Sequence, residues 1–460
     1  MACPHNSEII LTIIDMTHRY LPHTPDDIAR MLDAIGVETL DDLYADVPDS
    51  LRLARPYCLP EEMSEKEVRD FFDALGRKNR TMTCFAGAGY YHHYAPALIQ
   101  TIISRSEFLT AYTPYQPEIS QGTLHYIFEY QSMMAELTGL DVSNASMYDG
   151  TTAAAEAMLM MNASMRRGGR ILTSATMNPR TLAVMRTYAH FHGIDLEVIS
   201  ATADGVTDRA LLEERIAAGG VAGVVLPSPN YFGILEDFSG IADCCHAVKA
   251  LLAIDSPASA LAVIRSAGEW GADIACGDAQ SLGMPLNYGG PSLGYLCATK
   301  ALMRKMPGRI VGATVDRDGQ RVFVLTLQAR EQHIRREKAT SNICSNQGLM
   351  TLYAAIYLSL MGRHGLEEVN RRGMEGAHYL ADRLAATGAM SLTYPGSPFL
   401  NEFVMTVPAG ADRYLAAAAD RGILGGVKVD DTHVLIAVTE MQTRADMDTL
   451  AEAVGTCHKN

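Results

Sequence analysis

No lysine occurs between Lys249 and Lys300, although the chain is organised around the apolar runs and glycine-rich turn that lie in that interval. No apolar run reaches the roughly 20 residues that a membrane-spanning helix requires. Ile9–Ile14 is too short and is broken by a threonine, and no basic segment precedes it, so it reads neither as a membrane span nor as a signal peptide. The nine cysteines contain no CxxC pair. Cys244 and Cys245 are adjacent and cannot form a relaxed bridge, so the cysteines are expected to be reduced thiols in a cytoplasmic protein. Positive charge is in deficit, with 38 Lys and Arg against 53 Asp and Glu, a net charge of −15. That balance argues against nonspecific binding to nucleic acid or to an anionic membrane. Internal repeats and low-complexity segments are also lacking.

What the sequence does contain is enough for a large core. Its 460 residues, 48% hydrophobic and 20% charged, fit a globular protein of two or three domains. Thr24-Pro25-Asp26-Asp27 has the order of an N-cap, a first-turn proline and first-turn acids. Ile28, Met31, Leu32 and Ile35 then recur at helical spacing and Gly36 ends the helix. Ser64 with Glu67 predicts a capping box for a second helix, with Val68, Phe71, Phe72 and Leu75 as its apolar stripe. Residues 1–80 are therefore expected to form a helical N-terminal arm. Met16 is a plausible start, which leaves 1–15 as a possible upstream extension.

From Arg170 the pattern alternates. Strand-like ILTSA, LEVIS, VAGVVL, LLAID and ADIAC are separated by helical stretches at 179–192, 207–217, 238–248 and 259–268. Such alternation implies right-handed crossovers and a mostly parallel sheet flanked by helices. We expect a large α/β domain over 81–347. A helix from about 348 to 363 should lead into a small C-terminal α/β domain ending at 460.

Four polar stretches stand out. Cys84–Pro96, CFAGAGYYHHYAP, is either a loop packed on the domain face or a pocket wall that includes Tyr90 and Tyr91. His92-His93 lack an acid or cysteine at ligand spacing, so no metal site is expected. Tyr112–Gly122, YTPYQPEISQG, is stiffened by Pro114 and Pro117 and could present Tyr115, Glu118 and Gln121 to a neighbouring surface. Gly150-Thr151-Thr152 stand at a helix start, where backbone N–H groups either bind an anion or are simply capped. Arg330–Gln347, including Asn342, is the most charged stretch and is either a solvated face or an interface loop.

The turn Gly277–Tyr295, GDAQSLGMPLNYGGPSLGY, would lie at the carboxyl edge of the sheet, where such folds place chemistry. In pyridoxal phosphate (PLP) enzymes of this architecture the corresponding turn carries the Schiff-base lysine. Here it reads Ala279-Gln280-Ser281, and neither Gln280 nor Ser281 can form an imine.

YLPHTPDDIARMLDAIGV, FAGAGYYHHYAP, YTPYQPEISQGTL, NASMYDGTTAAAEAM, GDAQSLGMPLNYGGPSLGY, RKMPGRIVG and REKATSNICSNQ together resemble the glycine cleavage system P-protein family, in the alpha subunit of its split form. The likeness runs over nearly the whole chain from Met16. It implies a fold-type-I PLP-transferase-like architecture and an α2β2 assembly. In that assembly a beta subunit carries PLP, and the pair decarboxylates glycine and passes the aminomethyl group to the lipoyl group (lipoamide) of the H-protein. It also implies that Asp255, at the end of a strand, marks where such folds hold the pyridinium nitrogen. Met177-Asn178-Pro179 stands at the corner where a ring often stacks on the cofactor, and Asn178 departs from the family's usual histidine. On this reading Asp255, Gly150, Thr151 and Thr152 are vestiges of a cofactor site. Tyr90, Tyr91, Tyr115, Glu118, Gln121 and Asn342 are candidates to reach the partner's active site across the interface. The competing expectations are a pure scaffold and a self-sufficient PLP enzyme using Lys300 or Lys338.

Overall fold

The computed structural model describes residues 22–457 except 54, 56, 166, 167, 329–331 and 340. The possible upstream extension, 1–15, lies outside the described residues. Residues up to Arg80 and residues from Thr81 onward form two compact units.

In the first unit, α1 (Pro25–Ile35) and α2 (Glu65–Gly76) start where the caps predict. The Thr24 hydroxyl accepts from the Asp27 N–H at 3.2 Å, and the Asp27 carboxylate accepts from the Thr24 N–H at 3.0 Å. Ser64 and Glu67 repeat the arrangement. Gly36 ends α1 with φ 86°, a left-handed cap that glycine adopts without steric cost. No residue of either helix is buried. Cys84, Cys244, Cys245, Cys276, Cys297 and Cys344 are free thiols. Cys58 is disulfide-bonded, which departs from the expectation of reduced thiols throughout.

The second unit is built on a seven-stranded sheet. Its strands are β1 (Val142–Ser143), β2 (Arg170–Ser174), β3 (Leu196–Ile199), β4 (Val221–Pro227), β5 (Leu251–Asp255), β6 (Ile274–Asp278) and β7 (Gly294–Ala298). They lie in the order β1-β7-β6-β5-β4-β2-β3. The pairings from β3 through β6 are parallel, and β7 runs antiparallel to β6 and β1. Every residue of β4 is buried, which is why the central strands read as unbroken apolar runs rather than alternating ones: both sheet faces are covered. One core cluster gathers Leu226, Leu252 and Ile254 with α3 (Gln121–Thr138), and the other gathers Val225 and Ala253 with α4 (Gly150–Asn162).

The helix expected at 259–268 is only a short 3-10 turn, Ala258–Ala262. The chain beyond it is held elsewhere, with the Gly268 N–H donating to the Thr138 carbonyl at 3.0 Å. The long helix α5 (Gly348–Ala386) is broken at Gly362 (φ 56°, ψ −171°), close to the division expected between 363 and 366. Its second half packs on a four-stranded antiparallel sheet made of Ser391–Leu392, Glu402–Thr406, His433–Ala437 and Val427–Lys428. Thr83–Cys84 pairs in parallel with Ile423–Leu424 and ties the start of this unit to its end. No helix among the described residues is long and apolar enough to cross a membrane.

Candidate functional site

The carboxyl ends of β5 and β6 and the first turn of α4 open onto a pocket of ≈ 130 Å³. Its lining includes Tyr90, Tyr91, Gly150, Thr151, Asn178 and Asp255, and three groups the sequence did not single out: Arg180, Asp278 and Glu402. Asp255 is the last residue of β5 and Asp278 the last residue of β6. A strand's final side chain at this edge of an α/β sheet projects where ligands bind in such folds.

Asp278 is the hub. Its Oδ2 accepts from the Gly150 N–H at 2.9 Å and from the Tyr90 hydroxyl at 3.2 Å. Its Oδ1 accepts from the Gln280 N–H at 2.8 Å, and the Ser292 hydroxyl lies 3.0 Å from both oxygens. Burial pushes the Asp278 carboxyl up to about 6 despite these donors. Asp255 is pushed up to about 7, first by burial and then by the charge of Asp278. Glu402 is pushed up to about 7 by burial, opposed by hydrogen bonds from the Ala88 N–H at 2.6 Å and the Tyr91 hydroxyl at 2.9 Å. Burial and the neighbouring Asp278 charge raise the Tyr90 phenol, and burial with Glu402 raises Tyr91.

Gln280 is 1% exposed and faces the loop that carries Tyr91. Its amide oxygen accepts from the Tyr91 N–H at 2.9 Å, and its amide nitrogen donates to the Tyr91 and Met284 carbonyls, both at 2.7 Å. The Ser281 hydroxyl accepts from the Ser259 N–H at 3.1 Å. Asn178 caps the helix Pro179–His192 and donates to the Ala88 carbonyl at 2.9 Å. Thr151 and Thr152 both bond to Asp149, the N-cap of α4. Among the described residues no lysine lines the pocket, and both Lys300 and Lys338 are exposed.

The other sequence candidates lie apart from this pocket. Tyr115 is exposed, and the Arg309 guanidinium sits 5.2 Å from its ring centre. Glu118 is exposed in the 3-10 turn Pro117–Ile119. Gln121 is clamped: its amide pairs with both the N–H and the carbonyl of Phe323 at 2.9 Å and also reaches the Pro117 carbonyl at 2.7 Å. Asn342 is exposed. His93 bonds to Glu440 at 2.9 Å. Among the described residues no group of three or more His, Cys, Asp or Glu side chains is placed to hold a metal ion.

Comparison with known proteins gives three findings. The family described as the glycine cleavage system P-protein matches residues 18–454. "Probable glycine dehydrogenase (decarboxylating) subunit 1" of Bacillus cereus is 46% identical over 450 residues, covering 96% of this chain and 99% of the relative. A crystal structure of the glycine decarboxylase P-protein, in inhibitor-bound form, superposes with a TM-score of 0.87 at 40% identity, over 96% of this chain and all of that one. An aspartate aminotransferase from Thermus thermophilus shares the fold alone, at 15% identity and a TM-score of 0.57 over 82% of this chain.

Proposed function

The chain belongs to the glycine cleavage system P-protein family, and we propose that it is the subunit of a two-subunit glycine dehydrogenase that carries no cofactor of its own. Its partner, a second subunit with the Schiff-base lysine, would hold pyridoxal phosphate. Together they would decarboxylate glycine and deliver the aminomethyl group to the lipoyl arm of the H-protein, in an α2β2 assembly located in the cytoplasm.

The observation that carries this reading is Gln280. With Ser281 it stands in the turn where we expect such a fold to carry the lysine, and its amide is consumed by the Tyr91 backbone and the Met284 carbonyl. An amide forms no imine, among the described residues no lysine lines the pocket, and Asn178 offers no ring to stack on a pyridine. The residues present do not fit the cofactor.

This chain's own contribution would be to shape and close the partner's site. Positioning and water exclusion supply a large share of the barrier reduction in such reactions. Of the six candidates, Tyr115, Glu118 and Asn342 keep exposed side chains that can reach a neighbour. Tyr90 and Tyr91 serve this chain's own pocket, and Gln121 ties the proline-stiffened loop to strand Arg321–Thr326. These last three support a scaffold role for their positions.

Mixing the chain with its partner subunit and H-protein and measuring glycine–bicarbonate exchange tests the reading. Activity is expected only from the mixture. Borohydride reduction of the isolated chain with PLP should yield no pyridoxyl-lysine, and a stoichiometric adduct would overturn the proposal. Tyr115→Phe and Glu118→Gln should lower exchange with assembly intact, by about tenfold for each ~1.4 kcal/mol of lost transition-state contact. Unchanged exchange in both would leave the scaffold reading.

A further inference from the structure

The start of α4 is a ready-made anion site, and it is already filled from within the chain. α4 is a 13-residue helix, so its first N–H groups carry the partial positive charge that draws anions. The Gly150 N–H points at the Asp278 carboxylate at 2.9 Å. Three further donors converge on the same two oxygens: the Gln280 N–H at 2.8 Å, the Ser292 hydroxyl at 3.0 Å and the Tyr90 hydroxyl at 3.2 Å. The donors come from the α4 start, the Tyr90 loop and the Gly277–Tyr295 turn that carries Asp278 itself, and they converge on one acceptor group.

The approach is also close. A Cβ added at Gly150 would lie 2.7 Å from the Asp278 backbone nitrogen and 2.8 Å from its Cβ, so only glycine fits at 150 and the helix start is held directly against the end of β6. The surrounding charge points the same way. Asp149 and Asp255 flank Asp278, and among the described residues Arg180 is the one basic side chain on the pocket lining, where it is exposed.

We propose that Asp278 is an internal occupant of the phosphate seat, which closes this chain to a phosphate-bearing cofactor independently of the missing lysine. The idea rests on the reading that the chain holds no cofactor, and it adds a second barrier that restoring a lysine would not lift. Asp278 acts here as a specificity residue: it satisfies the donors that would otherwise bind phosphate and repels any anion that approaches them.

The test uses the full chain with inorganic phosphate as probe, titrated by calorimetry or phosphorus NMR. Asp278→Ser should bind phosphate roughly tenfold or more tightly than the wild-type chain. Asp278→Asn, which keeps the shape but drops the charge, should fall between the two. Adding Ser292→Ala to Asp278→Ser should reduce the gain and so locate the ion. A folded Asp278→Ser with no gain overturns the proposal; if that variant fails to fold, Asp278→Asn decides by the same criterion. A second arm uses PLP and borohydride. Gln280→Lys alone should give no pyridoxyl group at position 280, whereas Gln280→Lys with Asp278→Ser should give one. An adduct formed equally well by Gln280→Lys alone also overturns the proposal. A pyridoxyl-lysine on the wild-type chain would instead overturn the functional reading and leave the phosphate arm to decide this one.

Discussion

Glu402 is 4% exposed, and burial pushes its carboxyl to about 7 from an ordinary 4.5. The folded state therefore holds this proton more tightly than the unfolded chain does. Its stabilising contribution is complete below about pH 4.5 and is lost as pH rises toward 7. Glu156, pushed up to about 7 by burial and bonded to Ser341, adds in the same direction. The urea midpoint should thus fall between pH 5 and pH 7.5. Glu402→Gln should flatten that slope by on the order of 1–2 kcal/mol; an equally steep slope in the variant would show that Glu402 does not hold the proton. This is also the scale at which the sequence was least informative. Asp255 and Gly150 were legible because strand ends and helix starts are patterned. Glu402 and Asp278 were not, since nothing in a sequence distinguishes a buried carboxylate from a solvated one. The only sign was that each stands at the boundary of an apolar strand run. The sequence leaves the Tyr90-Tyr91 loop open between a packed loop and a pocket wall, because the hydroxyl partners that seat it in this chain's own pocket, Asp278 and Glu402, lie 188 and 311 positions away.

Helix boundaries were legible because capping is local chemistry: Thr24, Gly36 and Ser64 act within four residues of where they stand. Two-residue strands such as Thr83–Cys84 and Ile423–Leu424 leave no periodicity to detect, and their pairing spans the length of the second unit. The missing helix at 259–268 shows the opposite failure, an apolar pattern overridden by tertiary contacts with Gly139. Two glycines then give contrasting tests. Gly277 in β6 has φ 149°, and a Cβ there would lie 1.9 Å from the Ser256 carbonyl oxygen. Gly277→Ala should cost about 2–4 kcal/mol by collision with backbone that cannot move aside. Gly362 has φ 56° and ψ −171°, with nothing within 4 Å of the added Cβ. Gly362→Ala should cost only the torsional strain, about 1–3 kcal/mol. Denaturant midpoints separate the two, and a Gly362 variant as unstable as the Gly277 variant would contradict the assignment.

At the scale of the whole molecule, residues 22–80 carry many exposed apolar side chains. Leu51, Tyr57 and Leu59 are each about three-quarters exposed (76%, 76% and 75%), and Phe71 and Phe72 are more than half exposed. Such side chains suit contact with a partner, and the subunit naming of the relatives supports one. Limited proteolysis of the isolated chain should cut first within residues 22–80, and the partner subunit should protect the same bonds. At a partner concentration of 100 times the dissociation constant, the chain should gain about 2.7 kcal/mol of stability. Identical cleavage with and without the partner would count against an interface on this arm. The sheet itself was legible from its apolar runs. The antiparallel direction of β7 was not, because strand direction is set by connections rather than composition.

The Gln280 clamp makes position 280 hard to change. An amide both gives and receives hydrogen bonds, and the Tyr91 backbone uses both functions. A lysine offers donors only, so placing one there would leave the Tyr91 N–H without its acceptor and would loosen the loop that also positions Tyr90. A single codon change from glutamine to lysine at 280 would therefore carry the ordinary cost of an unpaired buried amide, about 1–3 kcal/mol, whatever chemistry the new amine offered, and that cost acts as a ratchet on this position.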